Sequence, residues 1–141
     1  MVKEIFTIGH SNRKIDEFID ILLFYKIKNL VDIRRFPSSK KFFWFNKENL
    51  EKELKKHNIL YFWLGEELGG FRGEGYENYM NTQNYKSGIE KLIDISKERS
   101  CIMCAEKLFF RCHRKFLSKT LKELNYKVIH ILDKNKFFEF K

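Results

Sequence analysis

The chain is poor in the residues that break or staple structure: Pro37 is its one proline, and it has seven glycines and three cysteines in 141 residues. With 43% apolar residues and no Ser-rich or Gln-rich tract, it is not a disordered or low-complexity chain. No apolar run is long enough to span a bilayer, and Met1–Glu4 leads into a strand pattern rather than a leader peptide. The reading is a cytoplasmic protein with no membrane contact. In a reducing compartment an odd cysteine count speaks against a disulfide framework.

Metal and cofactor signatures are also missing. Cys101 and Cys104 with Cys112 and His113 mimic a zinc set, but residues three apart on a strand point to opposite faces. A Cys-x5-Arg phosphatase loop from Cys104 would need arginine at 110, where Phe110 stands. Gly9-His10-Ser11 is too short for a dinucleotide fingerprint. No metal and no cofactor is expected.

What is present is positive charge and aromatic surface. The formal charge is +9, with 13 basic and 10 acidic side chains in residues 1–70 against 15 and 9 in residues 71–141. A basic surface favours polyanions through counterion release. The plainer reading is a Lys-rich and Glu-rich surface like that of high-temperature proteins, since no basic block is present. The 16% aromatic content exceeds the evident needs of one core, which leaves room for an exposed apolar patch and a homodimer.

Periodicity gives alternating strands and helices. Strands are expected at Lys3–Ile8, Asn29–Ile33, Ile59–Leu64, from Cys101 to Glu106, and at Tyr126–Leu132, with an antiparallel edge strand over Phe137–Phe140. Helices are expected at about 14–26, from Asn46 with Leu50 and Leu54 inward, around Tyr76–Met80, over Tyr85–Arg99, and through Phe116, Leu117, Leu121 and Leu124. Residues 65–73 read as a glycine-rich loop, long enough to be a lid. The fold class is therefore α/β: residues 1–141 form one three-layer, Rossmann-like domain with a mostly parallel sheet of about five strands, burying ~68% of the unfolded surface.

In such sheets ligands bind beyond the carboxyl ends of the strands. That rule gathers His10, Ser11, Asn12, Asp32, Arg34, Glu106, Cys112, His113 and Arg114 on one rim. Arg114 at a helix start suits a phosphate or carboxylate, or else a salt bridge to Glu106 that pins the loop. Cys112 reads as a low-pKa nucleophile with His113 or His10 as base, or as a small buried residue. Asp32 reads as a general base or as a partner of Arg34, His10 or Ser11. Ser11 or Asn12 is the expected cap of the first helix, and His130 a packed core histidine. Phe42–Phe45 with Lys40 and Lys41 read equally as a base-stacking loop and as a loop folded onto the domain.

The segments Thr7-Ile-Gly-His-Ser11, Val31-Asp-Ile-Arg34 with Pro37, Phe45-Asn46, Leu68-Gly-Gly70, Cys104-Ala-Glu106 and Cys112-His-Arg114 together resemble the domain-of-unknown-function family 488. The resemblance covers nearly the whole chain. It implies an α/β fold and supplies no substrate; Lys107-Leu-Phe-Phe-Arg111 departs from a loop that is usually more polar and often contains proline. The expected function is an enzyme or enzyme-like protein for a phosphate-bearing ligand, a nucleotide or a nucleic-acid end. In that reading Cys112, His10, Asp32 and Glu106 are catalytic, and Arg114, Arg34, Ser11 and His113 bind the ligand. Two alternatives stand beside it: a non-catalytic DNA- or RNA-binding module, and a buried structural polar network.

Overall fold

A computed structural model describes residues 3–70 and 72–141; Met1, Val2 and Phe71, the last within the glycine-rich stretch, lie outside the described residues. Among the described residues the strands β1 (Lys3–Gly9), β2 (Asn29–Asp32), β3 (Leu60–Trp63), β4 (Ser100–Cys104), β5 (Tyr126–Asp133) and β6 (Lys136–Glu139) form one sheet in the order β3-β2-β4-β1-β5-β6. The first five are parallel, and β6 runs antiparallel to β5 at the edge. The α/β class, the parallel sheet and the antiparallel edge strand are as the periodicity implies.

Both faces of the sheet are covered. On one side α1 (Ile15–Phe24) and α2 (Lys47–Lys55) bury Phe18, Ile19, Leu22, Leu50 and Leu54 against Phe6, Ile8, Cys101 and Met103. On the other, α3 (Gly65–Leu68), α5 (Gln83–Ile95) and α6 (Arg114–Glu123) bury Leu68, Tyr85, Leu92, Leu117 and Leu121 against Ile5, Ile102 and Cys104. A short α4 (Tyr76–Tyr79) lies between α3 and α5 in the chain. Strand alternation thus sends Cys101 and Cys104 to opposite sides of the sheet, as their spacing requires.

Local chemistry explains the boundaries. Lys26, Asn58 and Asn125 take left-handed backbone angles just past α1, α2 and α6, and each reverses the chain into the next strand. One expectation fails here, that of the α1 cap. Neither Ser11 nor Asn12 caps α1: Lys14 is its N-cap, and Ser11, at φ 50°, belongs to the preceding turn. β3 is only partly covered, because it is an outer strand and leaves Leu60 62% exposed.

The glycine-rich stretch also differs from a free loop. Residues 65–68 are helical, and a Cβ on Gly65 would stand 2.0 Å from the Arg34 carbonyl oxygen, so this glycine serves close packing.

The tightest approach lies at the rim. β1 and β4 end side by side, with Gly9 opposite Cys104, and the chain beyond each goes to a different face of the sheet. The two exits stay joined by backbone bonds, His10 N–H to the Cys104 carbonyl at 2.8 Å and Ser11 N–H to the Ala105 carbonyl at 2.9 Å. A Cβ on Gly9 would meet the Glu106 carbonyl oxygen at 1.9 Å and the Lys107 Cα at 2.7 Å, both backbone atoms that cannot step aside. Gly9→Ala is therefore expected to cost about 2–3 kcal/mol or to prevent folding. Gly73→Ala, where an added Cβ meets nothing within 4 Å, is expected to shift stability by no more than about 0.5 kcal/mol. Urea midpoints of the two variants check this; equal midpoints would refute the close-approach argument.

Candidate functional site

The crevice between the β1 and β4 exits opens into a cleft of about 1080 Å³. His10, Ser11 and Asn12 line it from β1, Arg34, Arg35 and Phe36 from β2, Gly70, Arg72 and Tyr76 from the α3–α4 region, and residues 104–107, 110–113, 115 and 116 from β4, its loop and the start of α6. Six cationic side chains reach it, Arg34, Arg35, Arg72, Lys107, Arg111 and Lys115, against one carboxylate among the described residues, Glu106. Phe36 and Phe110 stand at the cleft 66% and 52% exposed. Of the expected site residues, His10, Ser11, Arg34, Glu106, Cys112 and His113 come together here; Asp32 and Arg114 do not line it.

Asp32 is fully buried at the end of β2. Its carboxylate accepts Arg34 Nε at 2.9 Å and Nη2 at 2.7 Å, the Arg34 backbone N–H at 3.0 Å and the Tyr61 hydroxyl at 2.5 Å. With every lone pair committed, the carboxylate acts as the anchor of Arg34 rather than as a base facing the cleft. Burial alone would lower the Arg34 pKa, but the Asp32 carboxylate holds it above its ordinary value. Burial and the same carboxylate raise Tyr61. Trp63 Nε1 donates to the Arg34 carbonyl at 2.7 Å, fixing the backbone as well.

His10 stacks on the buried ring of Phe45 at 4.3 Å. Its Nδ1 lies 2.9 Å from the Ser11 carbonyl, which can only accept, so the proton sits on Nδ1 and Nε2 accepts from Arg34 Nη1 at 3.4 Å. Burial, then the charges of Arg34 and Arg13, push its pKa down to about 4. The ring is neutral, and its basic nitrogen already faces a cation. The basic and aromatic segment beside it is mostly folded onto the domain: Phe45 is core, Trp44 Nε1 donates to the Arg13 carbonyl at 2.9 Å, and Phe43 is exposed.

Arg114 is corrected most. Instead of forking an anion at the rim or pairing with the Glu106 carboxylate, it is 1% exposed and turned inward. Nη2 donates to the Glu106 carbonyl at 2.6 Å and the Lys107 carbonyl at 3.1 Å, and Nη1 to Thr7 Oγ1 at 3.0 Å. Thr7 Oγ1 in turn hydrogen-bonds His130 Nδ1 at 2.5 Å, and the His130 ring stacks on Phe109 at 3.9 Å. The loop's inward carbonyls are what draw the guanidinium under it. Burial, then Arg114, push the His130 pKa down to about 3. Glu106 contributes its carbonyl to this clamp, while its side chain stays exposed.

Cys112 is half-buried just before α6. Its sulfur lies 2.9 Å from Cys104 Sγ, 3.5 Å from His113 Nδ1 and 3.4 Å from the Arg114 backbone N–H. The hydrogen bond with Cys104, aided by His113 and the helix-start N–H, outweighs burial and holds the Cys112 thiol well below its usual pKa. Burial, then the hydrogen bond with Cys112, raises Cys104. Of the two thiols Cys112 is the more acidic, and the short contact between the sulfurs is what separates them. Cys104 was missing among the expected site residues. Strand parity could have found it, since a residue closing β4 shares the rim with the residues that return at the start of α6.

The family model described as Domain of unknown function DUF488 matches residues 14–121, so the His10 turn precedes the matched segment. Comparison with curated proteins and with solved structures gives no match.

Two outcomes are expected of the buried network. Arg114→Met, which strands two loop carbonyls, lowers the unfolding free energy by about 3 kcal/mol; an unchanged denaturation midpoint would overturn the clamp. The second concerns pH. His10 and His130 stay neutral in the folded protein and take up protons when unfolded, so the unfolded state binds more protons between the folded values and about 6.5. Stability from these rings is complete above that window and is lost as the pH falls through it, by on the order of 3 kcal/mol each near pH 4. Urea unfolding at pH 7.5, 6 and 4.5 reads this, and His130→Phe flattens part of the acid limb.

Proposed function

The chain belongs to the DUF488 domain family, whose description names no reaction, and from the chemistry of the cleft we propose that it is an enzyme acting on a phosphate-bearing ligand, a nucleotide or a nucleic-acid end. The observation that carries this reading is the cleft's lining, six cations and one carboxylate around a thiolate. Several cations at close quarters, one of them held rigid by Asp32, suit a di- or triphosphate or a short stretch of sugar-phosphate chain. Phe36 and Phe110 offer exposed faces on which a base can stack.

In this reading Cys112 is the nucleophile, and Cys104, His113 and the Arg114 N–H surround its sulfur. Ser11 and Arg34 position the ligand from the β1 and β2 exits. A neutral His10, oriented by Ser11 and Arg34, shapes the floor. A cytoplasmic setting accords with a catalytic thiolate, which a reducing compartment preserves.

Thermal shift tests the reading on wild type and on Arg111→Ala/Lys115→Ala, two exposed cleft residues whose loss leaves the fold intact. A mononucleotide or short oligonucleotide at about a hundred times its dissociation constant is expected to stabilise wild type by ~2.7 kcal/mol, a few degrees in midpoint, and the double variant much less. Cys112→Ser is expected to keep the shift. A cleft indifferent to pyrophosphate, nucleotides and oligonucleotides alike would sink the proposal. A response to oligonucleotides alone, steeply salt-dependent and with no turnover, would favour a binding module instead.

A further inference from the structure

The three cysteines divide into a pair and a single residue. Cys101 is fully buried on the α1–α2 side of the sheet, while Cys104 and Cys112 bring their sulfurs to 2.9 Å on the other. We infer that Cys112 and Cys104 form a redox-active dithiol, in which Cys112 is oxidised by a small hydroperoxide at the cleft wall and Cys104 resolves the product to an intramolecular disulfide.

Geometry carries the inference. A disulfide needs the sulfurs at about 2.05 Å, so closure asks for less than an ångström of travel from the present contact. The residue that must travel is the one free to do so. Cys104 is fixed at the end of a central strand, 2% exposed, whereas Cys112 sits in extended backbone between a 3-10 turn (Phe109–Arg111) and α6. Access divides the roles in the same way, since both residues line the cleft but Cys112 is the less buried. The attacking thiolate and the resolving thiol are thus told apart by position, and their pKa directions agree.

The chemistry closes in two steps. The Cys112 thiolate attacks the distal oxygen of the hydroperoxide; the S–O bond forms, the O–O bond breaks, and the alkoxide or hydroxide leaves and takes a proton from water. Cys112 is then a sulfenic acid. The Cys104 sulfur attacks that sulfur, the S–S bond forms, the S–O bond breaks, and the departing hydroxide leaves as water with the Cys104 proton. Two thiols have given two electrons to one peroxide. An external dithiol returns them by exchange, attacking the more accessible Cys112 sulfur.

This inference does not depend on the ligand proposed for the cleft, because it uses only the two sulfurs and their surroundings. The test is hydrogen peroxide titrated against the reduced full chain, followed by alkylation and peptide mass mapping. Roughly one equivalent is expected to remove the free thiols at Cys104 and Cys112, lower the mass by about 2 Da, link their two peptides and leave Cys101 as a thiol, with dithiothreitol reversing the change. In Cys104→Ala the same dose is expected to add one oxygen to Cys112, trapped by dimedone and passing to the sulfinic acid with excess peroxide. In Cys112→Ser, Cys104 stays reduced. Wild-type oxidation that stops at oxygen adducts, links two chains instead of one, or proceeds no faster than in a denatured control would overturn the inference. The wild-type mapping decides even if a variant fails to fold.

Discussion

The guanidinium of Arg114 is the interaction on which the site depends. It is a full charge placed where water does not reach, and such a charge is tolerated only when its donors meet oxygen. The oxygens it meets are the carbonyls of Glu106 and Lys107, the residues that leave β4, and the hydroxyl of Thr7 on β1. Gly9 completes the arrangement, because only a residue without a Cβ lets the Glu106 carbonyl settle onto β1. Together they fold the loop after β4 back on itself. That fold-back sets the start of α6, and with it Cys112, against the last residue of the strand.

A second anchored arginine shapes the opposite wall. Arg34 is gripped through both ends of its fork by Asp32, and its backbone is held by Trp63, so its remaining Nη1 turns toward His10. A buried ion pair of this kind adds little net stability, and its value lies in direction. One arginine is thus spent wholly on the scaffold, and the other keeps one nitrogen at the cleft. The same residue type at two ends of strands serves two purposes because one meets carbonyls turned inward and the other meets a carboxylate beside it.

The distinction marks how far the sequence can be read. The strands, the helical faces of Phe18, Leu22, Leu50 and Leu54, the edge pairing of β6 and the gathering of His10, Arg34, Cys112 and His113 on one rim follow from periodicity and the carboxyl-edge rule, and the structure has them. The direction in which Arg114 points does not follow, because an arginine opening a helix reads alike whether it faces solvent or loop carbonyls. Gly65 shows the same limit: glycine signals freedom in a sequence, yet here it serves a contact that any side chain would block. Cys104 resembles a phosphatase nucleophile or a zinc ligand in sequence, and its spacing refuses both. Its pairing with Cys112 depends on the shape of the intervening loop, which Gly9 and Arg114 set from elsewhere in the chain.

Burial and the positive field of the rim together set its histidines apart from Cys112. Burial first, and then the charges of Arg34 and Arg13 around His10 and of Arg114 near His130, disfavour the imidazolium, so each ring stays neutral and serves as an oriented dipole. The same sign of field favours a thiolate, and Cys112 has in addition three donors within 3.5 Å. Such surroundings lower the basicity of the buried histidines and lower the pKa of one thiol. An anion drawn in by the cleft would meet that sulfur's charge as well. The cations around it must offset this repulsion, which gives their number and spread a purpose beyond attraction alone.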